Sequence, residues 1–392
     1  MGSPNDGQGR VAGHGERVST AEVERRYGRV REAMQRDGLD AAVVCGSEYT
    51  GFEGAVTYLS GFQIVHRYAY VVLTAEGEPT IVFPGEARYV GEHGTTWIEE
   101  QVFADRPGEW MAERLRGQRV GVYGLDYVMA VRDYRALADA NVDVVPWDEG
   151  FDHARSVKSE AEVESVRDSV RINTDGFWAF LDAYEPGRTA AETLAPAERL
   201  FVERGCGRLT MNMVLVGPEF AIARDDIVLG DFCIPSLEIA GPGGHWVEVS
   251  RAIGRPNTEV AGMSDAYEEY FEAARESLRP GTAAHDVHRA VANGFLDRGY
   301  HLGHVTGHSI GMTMIEFPKI GEGVETELEE NMVFSMHPHA IADNGTDCLY
   351  MQDTWLVTKD GGEPLAGLPM RIFDGSERPP MVSETGSARR DM

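Results

Sequence analysis

Lysine is nearly absent from this chain of 392 residues. It occurs only at positions 158, 319 and 359, so almost all of the 36 basic residues are arginine. The 64 acidic residues give a net charge of -28, which leaves no basic face for nucleic acid. No run approaches the roughly 18 apolar residues of a membrane span, and the N-terminus lacks the apolar segment of a signal peptide. We therefore expect a cytoplasmic protein that binds neither nucleic acid nor membranes.

Cysteine is also scarce. Cys45, Cys206, Cys233 and Cys348 are far apart, and no C-x-x-C spacing indicates a zinc or redox site. Buried, reduced thiols are the expected state of these side chains. No G-x-G-x-x-G sequence follows an apolar strand-like run, so a dinucleotide-binding function has little support.

Helix and strand signals alternate in the first part of the chain. Ser19 and Glu22 form a capping-box pattern before a helical period, and the short runs AAVVCG, AYVVLT and PTIVFP are typical of buried strands. The sequence therefore predicts an N-terminal α/β domain over residues 18–152. Residues 1–17 are expected to form a disordered leader.

The second part of the chain contains an internal repeat. EPGRTAAETLAPAERLFVERG (185–205) resembles RPGTAAHDVHRAVANGFLDRG (279–299), with Pro-Gly, a threonine N-cap and a closing Arg-Gly in each. The offset is too long for a solenoid and indicates an internally duplicated domain, which we place at 153–375. A site is expected between its two halves, and residues 376–392 are expected to form a disordered tail.

Several motifs, taken in order, resemble the pita-bread superfamily. They are VKSEAEVESVRDSV, the repeated Pro-Gly helices, GHSIGM followed by an acid, and NMVFSMHP followed by QDTWLVT. The superfamily includes methionine aminopeptidase, Xaa-Pro peptidases, prolidase, creatinase and ectoine hydrolase. The resemblance implies an α/β (α+β) pita-bread fold, with a smaller N-terminal α/β domain before a duplicated catalytic domain. It also implies a homodimer in which His66 and Arg67 contact the neighbour's pocket.

The peptidases of this superfamily hold two metal ions on Asp, Asp, His, Glu and Glu. His308 matches the histidine of the family's G-H-G-I-G motif, and Glu316 matches the acid eight residues later. Glu248 matches the second aspartate. The first aspartate aligns with Leu237, or with Glu238 after a one-residue adjustment.

The two glutamates of the family pattern are replaced by His337 and Gln352. Two close divalent cations need bridging carboxylates to balance their charge, and neither replacement can bridge. We therefore predict a site without metal, as in creatinase and ectoine hydrolase. Alternatively, His308, His337 and Glu248 would hold one Fe, Zn or Mn ion.

Hydrolysis of a C–N bond without metal needs a base or nucleophile and an acid for the leaving nitrogen. We expect His308 and His337 to transfer protons beside Glu248, Glu316 and Glu238, with direct attack by Glu238 as an alternative. Acidic neighbours are predicted to raise the pKa values of both histidines.

Other side chains are expected to bind the substrate: His245, His304, His339, Arg251 and Gln352. His285 and His288 belong to a repeat helix and are not expected in the site. Three carboxylates and no lysine in the pocket favour a cationic group on the substrate, and Arg251 would meet a carboxylate. The predicted substrate is a small zwitterion.

The first interpretation is a metal-independent hydrolase that opens an amide or amidine C–N bond in a small amino-acid derivative, similar to ectoine hydrolase or creatinase. The alternatives are an Xaa-Pro metallopeptidase or prolidase with divergent ligands, a lyase of the same fold, and an inactive binding module. A metal measurement separates the first two.

Overall fold

The structure, a computed structural model, describes residues 18–48, 54–64, 67–88, 96–207, 210–223 and 226–378. Its helices are α1 (Thr20–Arg36), α2 (Gly54–Ser60), α3 (Pro107–Leu115), α4 (Val131–Asp139), α5 (Asp148–Ser156), α6 (Glu160–Ala183), α7 (Ala190–Glu203), α8 (Thr258–Gly262), α9 (Ser264–Ser277) and α10 (Ala284–Leu296).

The strands of the first half are β1 (Ala41–Ser47), β2 (Tyr68–Thr74), β3 (Thr80–Pro84), β4 (Glu100–Ala104), β5 (Arg119–Tyr123) and β6 (Asp143–Pro146). Those of the second half are β7 (Met213–Val216), β8 (Glu219–Ile222), β9 (Phe232–Cys233), β10 (Pro235–Ala240), β11 (Trp246–Ser250), β12 (Ile253–Gly254), β13 (His301–Leu302), β14 (Gly307–Ser309), β15 (Glu316–Ile320), β16 (Val333–Met336), β17 (His339–Ile341), β18 (Cys348–Tyr350), β19 (Asp353–Thr358) and β20 (Gly361–Pro364).

The N-terminal sheet has six strands in the order β4-β3-β2-β1-β5-β6. The runs predicted as strands form β1, β2 and β3, and side chains on both faces of β1 are buried. Strand β1 pairs antiparallel with β2 and parallel with β5, so the sheet is mixed. Helices cover both of its faces, which explains why the inner strands β1, β2 and β3 are mostly buried apolar runs.

Helix α5 joins the N-terminal sheet to the second half of the chain. The domain boundary predicted at residue 152 falls inside this helix, and it stays a prediction. The predicted capping at Ser19 is present, since its side chain accepts from the backbone N–H of Glu22. The leader predicted over 1–17 lies outside the described residues, as does all but the start of the tail predicted over 376–392.

The second half contains two main sheets. One has the strand order β11-β10-β7-β8, and the other has the order β15-β14-β16-β19-β20. They meet where the backbone N–H of Gln352 donates to the carbonyl of Ser250 (3.0 Å) and the N–H of Ser250 donates back (3.1 Å). The functional side chains lie at this junction.

Each of the two repeated segments forms one helix, α7 in the first repeat and α10 in the second. Helices α6 and α7 pack on β10 and β11, and helices α9 and α10 pack with β16 and β19 in a second core. Thr189 caps α7 as predicted, whereas α10 begins after Ala283 without a side-chain cap. Within the described residues, no helix has the length and apolar character to cross a bilayer.

Candidate metal centre

The hairpin of β10 and β11 places two glutamates opposite each other. Glu238 and Glu248 are direct partners in the antiparallel register, and both side chains are buried. Side chains alternate between the two faces of a strand. Leu237 and Val249 therefore point into the apolar core while the two glutamates face the other way. The geometry selects Glu238 rather than Leu237 as the partner of Glu248.

His308 and His337 approach the same face from the other sheet. His308 lies on β14, and its Nδ1–H donates to the backbone carbonyl of Ser309 (3.0 Å). This hydrogen bond leaves the lone pair on Nε2, which is 3.8 Å from Oε1 of Glu248. His337 directly follows β16, and its Nδ1 is buried without a hydrogen-bond partner.

Glu248, His308 and His337 form a set of three metal-binding donors. One donor atom from each residue lies within 4.8 Å of the other two, and all three side chains are buried. Two imidazoles and one carboxylate are suited to Fe, Zn or Mn. A backbone carbonyl on the far nitrogen of His308 is the usual way to orient a histidine ligand. These residues fit one divalent ion.

Burial determines the protonation of this set. Desolvation raises the pKa of Glu248 to about 7, against the opposing hydrogen bonds from Ser335 and Gln352. Desolvation, followed by the charge of Glu248, raises the pKa of Glu238 well above its ordinary value. Within the described part of the chain, neither carboxyl has an Arg or Lys partner. A cation would offset the cost of burying both carboxylates.

The predicted increase in the histidine pKa values is wrong. Burial lowers the pKa of His308 to about 4, and burial together with the rings of His308 and His304 lowers that of His337. The prediction considered the neighbouring acids but not the loss of water, which disfavours the charged imidazole. Neutral imidazoles are the form that binds metal.

The side-chain amide of Gln352 forms hydrogen bonds within the protein, including one to Glu248. Its amide Nε2 donates to Oε2 of Glu248, and its Oε1 accepts from Ser236 (3.1 Å). Ser335 donates to the same carboxylate oxygen of Glu248 at 2.5 Å. Gln352 lines the cavity, but its polar atoms are already engaged.

The cavity beside the donor set has a volume of about 350 Å³. Apolar side chains form much of its wall: Met211, Met213, Phe220, Val305, Met314 and Ile315. Lys319 also lines it, on β15 directly across from His308. The expectation of a pocket without lysine is therefore wrong. The signal available in the sequence was that Lys319 is one of only three lysines.

Glu316 lies outside this cavity. Its carboxylate pairs with Arg155 (3.1 Å) and Lys158 (2.9 Å) and accepts from the backbone N–H of Thr313 (3.1 Å). Burial alone would raise the pKa of Glu316, but Arg155 and Lys158 outweigh it and hold the pKa below its ordinary value. Glu316 is saturated by cations, which contradicts its predicted part in proton transfer.

Arg251 is also a structural residue. Its guanidinium donates to Asp353 at 2.5 Å and to the carbonyls of Leu368 and Gln352, and the side chain has no exposed surface. The predicted contact with a substrate carboxylate is wrong because all of these donors face the protein interior.

His245 lies in another cavity, of about 330 Å³. Its Nδ1 contacts Oγ of Ser165 (2.9 Å), and its Nε2 is 3.8 Å from Glu162. His245 does not line the cavity beside Glu248, which disagrees with its predicted contact with the substrate there.

The other histidines named in the sequence analysis lie in different places. His304 lines the cavity, with its ring 4.9 Å from that of His337. His339 lies behind it, packed on His304 at 5.4 Å, and does not line the cavity, contrary to prediction. His285 and His288 are outside, as predicted. His66 lies outside the described residues, and Arg67 pairs with Glu86 at 3.4 Å.

Two family models match the chain. Residues 164–359 match metallopeptidase family M24, and residues 26–157 match the creatinase/prolidase N-terminal domain. The chain belongs to metallopeptidase family M24. It is therefore a hydrolase acting on C–N bonds, and the predicted pita-bread fold is confirmed.

Similar proteins are named as dipeptidases. A probable dipeptidase PepE of Mycobacterium tuberculosis is 27% identical over 362 residues, covering 86% of this chain and 90% of that protein. An Xaa-Pro dipeptidase of Pyrococcus horikoshii is 24% identical over 358 residues, covering 86% and 95%. The crystal structure of dipeptidase PepE from Mycobacterium ulcerans matches with a TM-score of 0.74 at 25% identity, covering 91% and 99%.

Two interpretations of the sequence are therefore wrong. A metal-independent function like that of creatinase or ectoine hydrolase is contradicted by the metallopeptidase family, by the dipeptidase names and by the three converging donors. The absence of a cofactor is contradicted by the same findings. Counting replaced ligands along the sequence gave too much weight to the losses, whereas the structure brings together Glu248, His308 and His337, the set named above only as the alternative.

Proposed function

We propose that this member of family M24 is a metal-dependent dipeptidase, with Xaa-Pro dipeptides among its substrates. The observation that carries the proposal is the convergence of Glu248, His308 and His337 at a cavity that also contains Lys319. The names of the relatives support the choice of substrate class. One ion is proposed rather than two, because the amide of Gln352 is committed to Glu248 and Ser236.

Glu248, His308 and His337 are the proposed ligands. A divalent ion held by these three side chains would supply Lewis-acid chemistry for hydrolysis of a peptide bond. Ser335 and Gln352 orient the carboxylate of Glu248, and the carbonyl of Ser309 orients His308. Such supporting contacts typically change metal affinity by about 10- to 100-fold when removed.

Glu238 is the proposed proton carrier. It lies opposite Glu248 and lines the cavity, and burial raises its pKa, so its carboxyl takes up a proton more readily than an ordinary glutamate. In hydrolysis, water oxygen bonds to the carbonyl carbon and the C–N bond breaks. Glu238 accepts the proton that the water loses and delivers it to the leaving nitrogen.

The cavity is suited to a short substrate with a free carboxylate. Its volume of about 350 Å³ is near the lower end of ligand sites, which span about 300–1,000 Å³. Lys319 lies across the strand pair from His308, and its ammonium would pair with the C-terminal carboxylate of a dipeptide. The substrate-binding residues proposed are Lys319 and His304.

The proposal is tested with protein stripped by EDTA and reloaded with Mn²⁺, Zn²⁺ or Fe²⁺. Xaa-Pro and other dipeptides are compared with the same dipeptides carrying a C-terminal amide. Metal-dependent hydrolysis of free dipeptides supports the proposal, and equal activity with and without metal contradicts it.

Replacement of Lys319 tests the carboxylate contact. Lys319→Met should raise KM for the free dipeptide about 10- to 100-fold, the range expected for a lost charge-assisted hydrogen bond of about 1.5–3 kcal/mol. It should change little for the C-terminal amide. Lys359→Met is the matched control, since Lys359 is exposed in the turn before β20. An equal effect of Lys319→Met on both substrates would exclude this contact.

A homodimer in the cytoplasm is also proposed. The superfamily resemblance supports the dimer, and the four cysteines, all free, are compatible with a reducing compartment. Light scattering at micromolar concentration tests the dimer, and a monomeric mass would contradict it. Fractionation of the native cells tests the location.

A further inference from the structure

One wall of the cavity beside Glu248 and His308 is formed by a loop that packs against the N-terminal half of the molecule. Residues 310–316, here called the wall loop, follow β14 and include Glu316, the first residue of β15. Met314 and Ile315 of this loop line the cavity. The side chain of Met312, two residues earlier, points the opposite way and is buried in the apolar core of the N-terminal half.

The contact between the loop and helix α2 leaves no space. A methyl group added at Gly54, the first residue of α2, would lie 1.7 Å from the carbonyl oxygen of Met312 and 2.7 Å from the backbone nitrogen of Thr313. These are backbone atoms, which cannot move aside as the end of a flexible side chain can. Glycine is therefore required for α2 to touch the loop, and the position of α2 limits the position of Met312.

Charged groups from α5 and the residues after it hold the other end of the loop. Arg155 donates to Oγ1 of Thr313 (2.8 Å) and pairs with Glu316 (3.1 Å), and Lys158 pairs with Glu316 at 2.9 Å. All of these groups are buried. The N–H of Thr313 also donates to Glu316 (3.1 Å), so the carboxylate closes the loop upon itself.

We infer that the N-terminal half of the molecule determines substrate selectivity by fixing the wall loop, with Met312 and Glu316 as its positioning residues. Neither side chain lines the cavity beside Glu248 and His308. They act through Met314 and Ile315, whose positions set how large a substrate side chain fits beside them. The inference explains why a buried acid eight residues after His308 is saturated by cations rather than directed at the substrate.

The kinetic test rests on the proposed dipeptidase function. Gly54→Ala forces α2 and the loop apart without altering any residue that lines the cavity. Misplacement by about 1 Å can cost up to about 100-fold in rate. We expect the ratio of kcat/KM for dipeptides with a large apolar residue to those with a small one to change at least about fivefold.

Gly28→Ala is the matched control for this change. Gly28 lies in α1 of the same half, and an added methyl group there would meet nothing within 4 Å. The ratio should stay within about twofold, because an alanine in a helix adds no strain. An unchanged ratio in Gly54→Ala, in a folded protein that hydrolyses dipeptides, overturns the inference.

A second pair of variants covers the case in which Gly54→Ala does not fold. Met312→Ala and Met34→Ala each remove a buried methionine from the same core, but Met34 belongs to α1 and not to the loop. Comparable losses of thermal stability are expected. Only Met312→Ala should change the ratio of kcat/KM values. An equal change of this ratio in both variants would show that Met312 only contributes to packing of the core.

Methyl NMR provides a measurement that does not require activity. In protein labelled at the methionine methyl groups, the resonance of Met314, assigned with Met314→Leu, should move in Gly54→Ala and in Met312→Ala. It should not move in Gly28→Ala or Met34→Ala. If the wild type hydrolyses no dipeptide with any metal, the proposed function fails, and the Met314 resonance still decides the inference: an unmoved resonance overturns it.

Discussion

Metal binding by Glu248, His308 and His337 should weaken as the pH falls, because protons and the ion compete for Glu248. Burial raises the pKa of this carboxyl to about 7, although hydrogen bonds from Ser335 and Gln352 oppose the change. At that pKa, about 10% of the group is ionised at pH 6 and about 90% at pH 8. The apparent dissociation constant should therefore fall about tenfold between pH 6 and pH 8.

The imidazoles should add little to this pH dependence. Burial lowers the pKa of His308 to about 4, and it lowers that of His337 together with the neighbouring rings of His308 and His304. Both rings are neutral and offer a lone pair over the whole range. A dependence centred near the ordinary histidine pKa of about 6.5, unchanged by Glu248→Gln, would assign the titration to the rings instead.

The same pKa predicts how the metal-free protein responds to pH. The folded pKa of Glu248 lies above its ordinary value of 4.5, so its contribution to stability is present below pH 4.5 and lost as the pH rises through about 7. The difference corresponds to about 3 kcal/mol of the free energy of unfolding. A metal ion at a free concentration of 100 times its dissociation constant should raise the free energy of unfolding by about 2.7 kcal/mol.

Isothermal titration calorimetry of the metal-free protein measures the apparent dissociation constant of the metal and the number of protons released. Mn²⁺ is titrated at pH 6, 7 and 8 in two buffers of different ionisation enthalpy, which reports the protons released. We expect about 0.9 proton per ion at pH 6 and about 0.1 at pH 8 from Glu248 alone. A second released proton would come from Glu238, whose pKa is also raised. Equal affinity at pH 6 and pH 8 would refute the reasoning.

Three further outcomes are expected. His308→Ala and His337→Ala should each lose bound metal by elemental analysis and lower kcat at least about 100-fold, with circular dichroism unchanged. Gln352→Glu should raise the metal content from one ion to two, since it restores a carboxylate beside Glu248; an unchanged content of one ion would contradict this. Arg251→Met should cost about 3–5 kcal/mol in urea unfolding, because it leaves a buried carboxylate unpaired. Its KM should stay unchanged, and a raised KM with intact stability would restore the predicted substrate contact.

Local sequence patterns were sufficient for much of the fold. The apolar runs of β1, β2 and β3 and the cap at Ser19 depend on neighbours a few residues apart, and both appear as predicted. The repeat likewise predicted one helix in each half. The order of the motifs placed Glu248, His308 and His337 in one predicted site only through the resemblance to a known superfamily, since local patterns do not show which distant strands meet.

The tertiary structure alone decided which polar residues belong to that site. Glu316 meets Arg155 and Lys158, about 160 residues away along the chain, and Arg251 meets Asp353, so both are withdrawn from the substrate. The opposite case is Lys319, which strand pairing brings across from His308. Local patterns cannot contain such partners, because they come together only when the sheets and helices pack.

Protonation was decided in the same way. The sequence shows acids near His308 and His337, and neighbouring charge alone predicts raised pKa values. The fold instead removes water from both rings and from Glu248, so the histidines become neutral and the carboxyl retains its proton to about pH 7. The candidate donors could thus be named from the sequence. Their protonation states came from burial, because desolvation depends on everything packed around a group rather than on its neighbours in the chain.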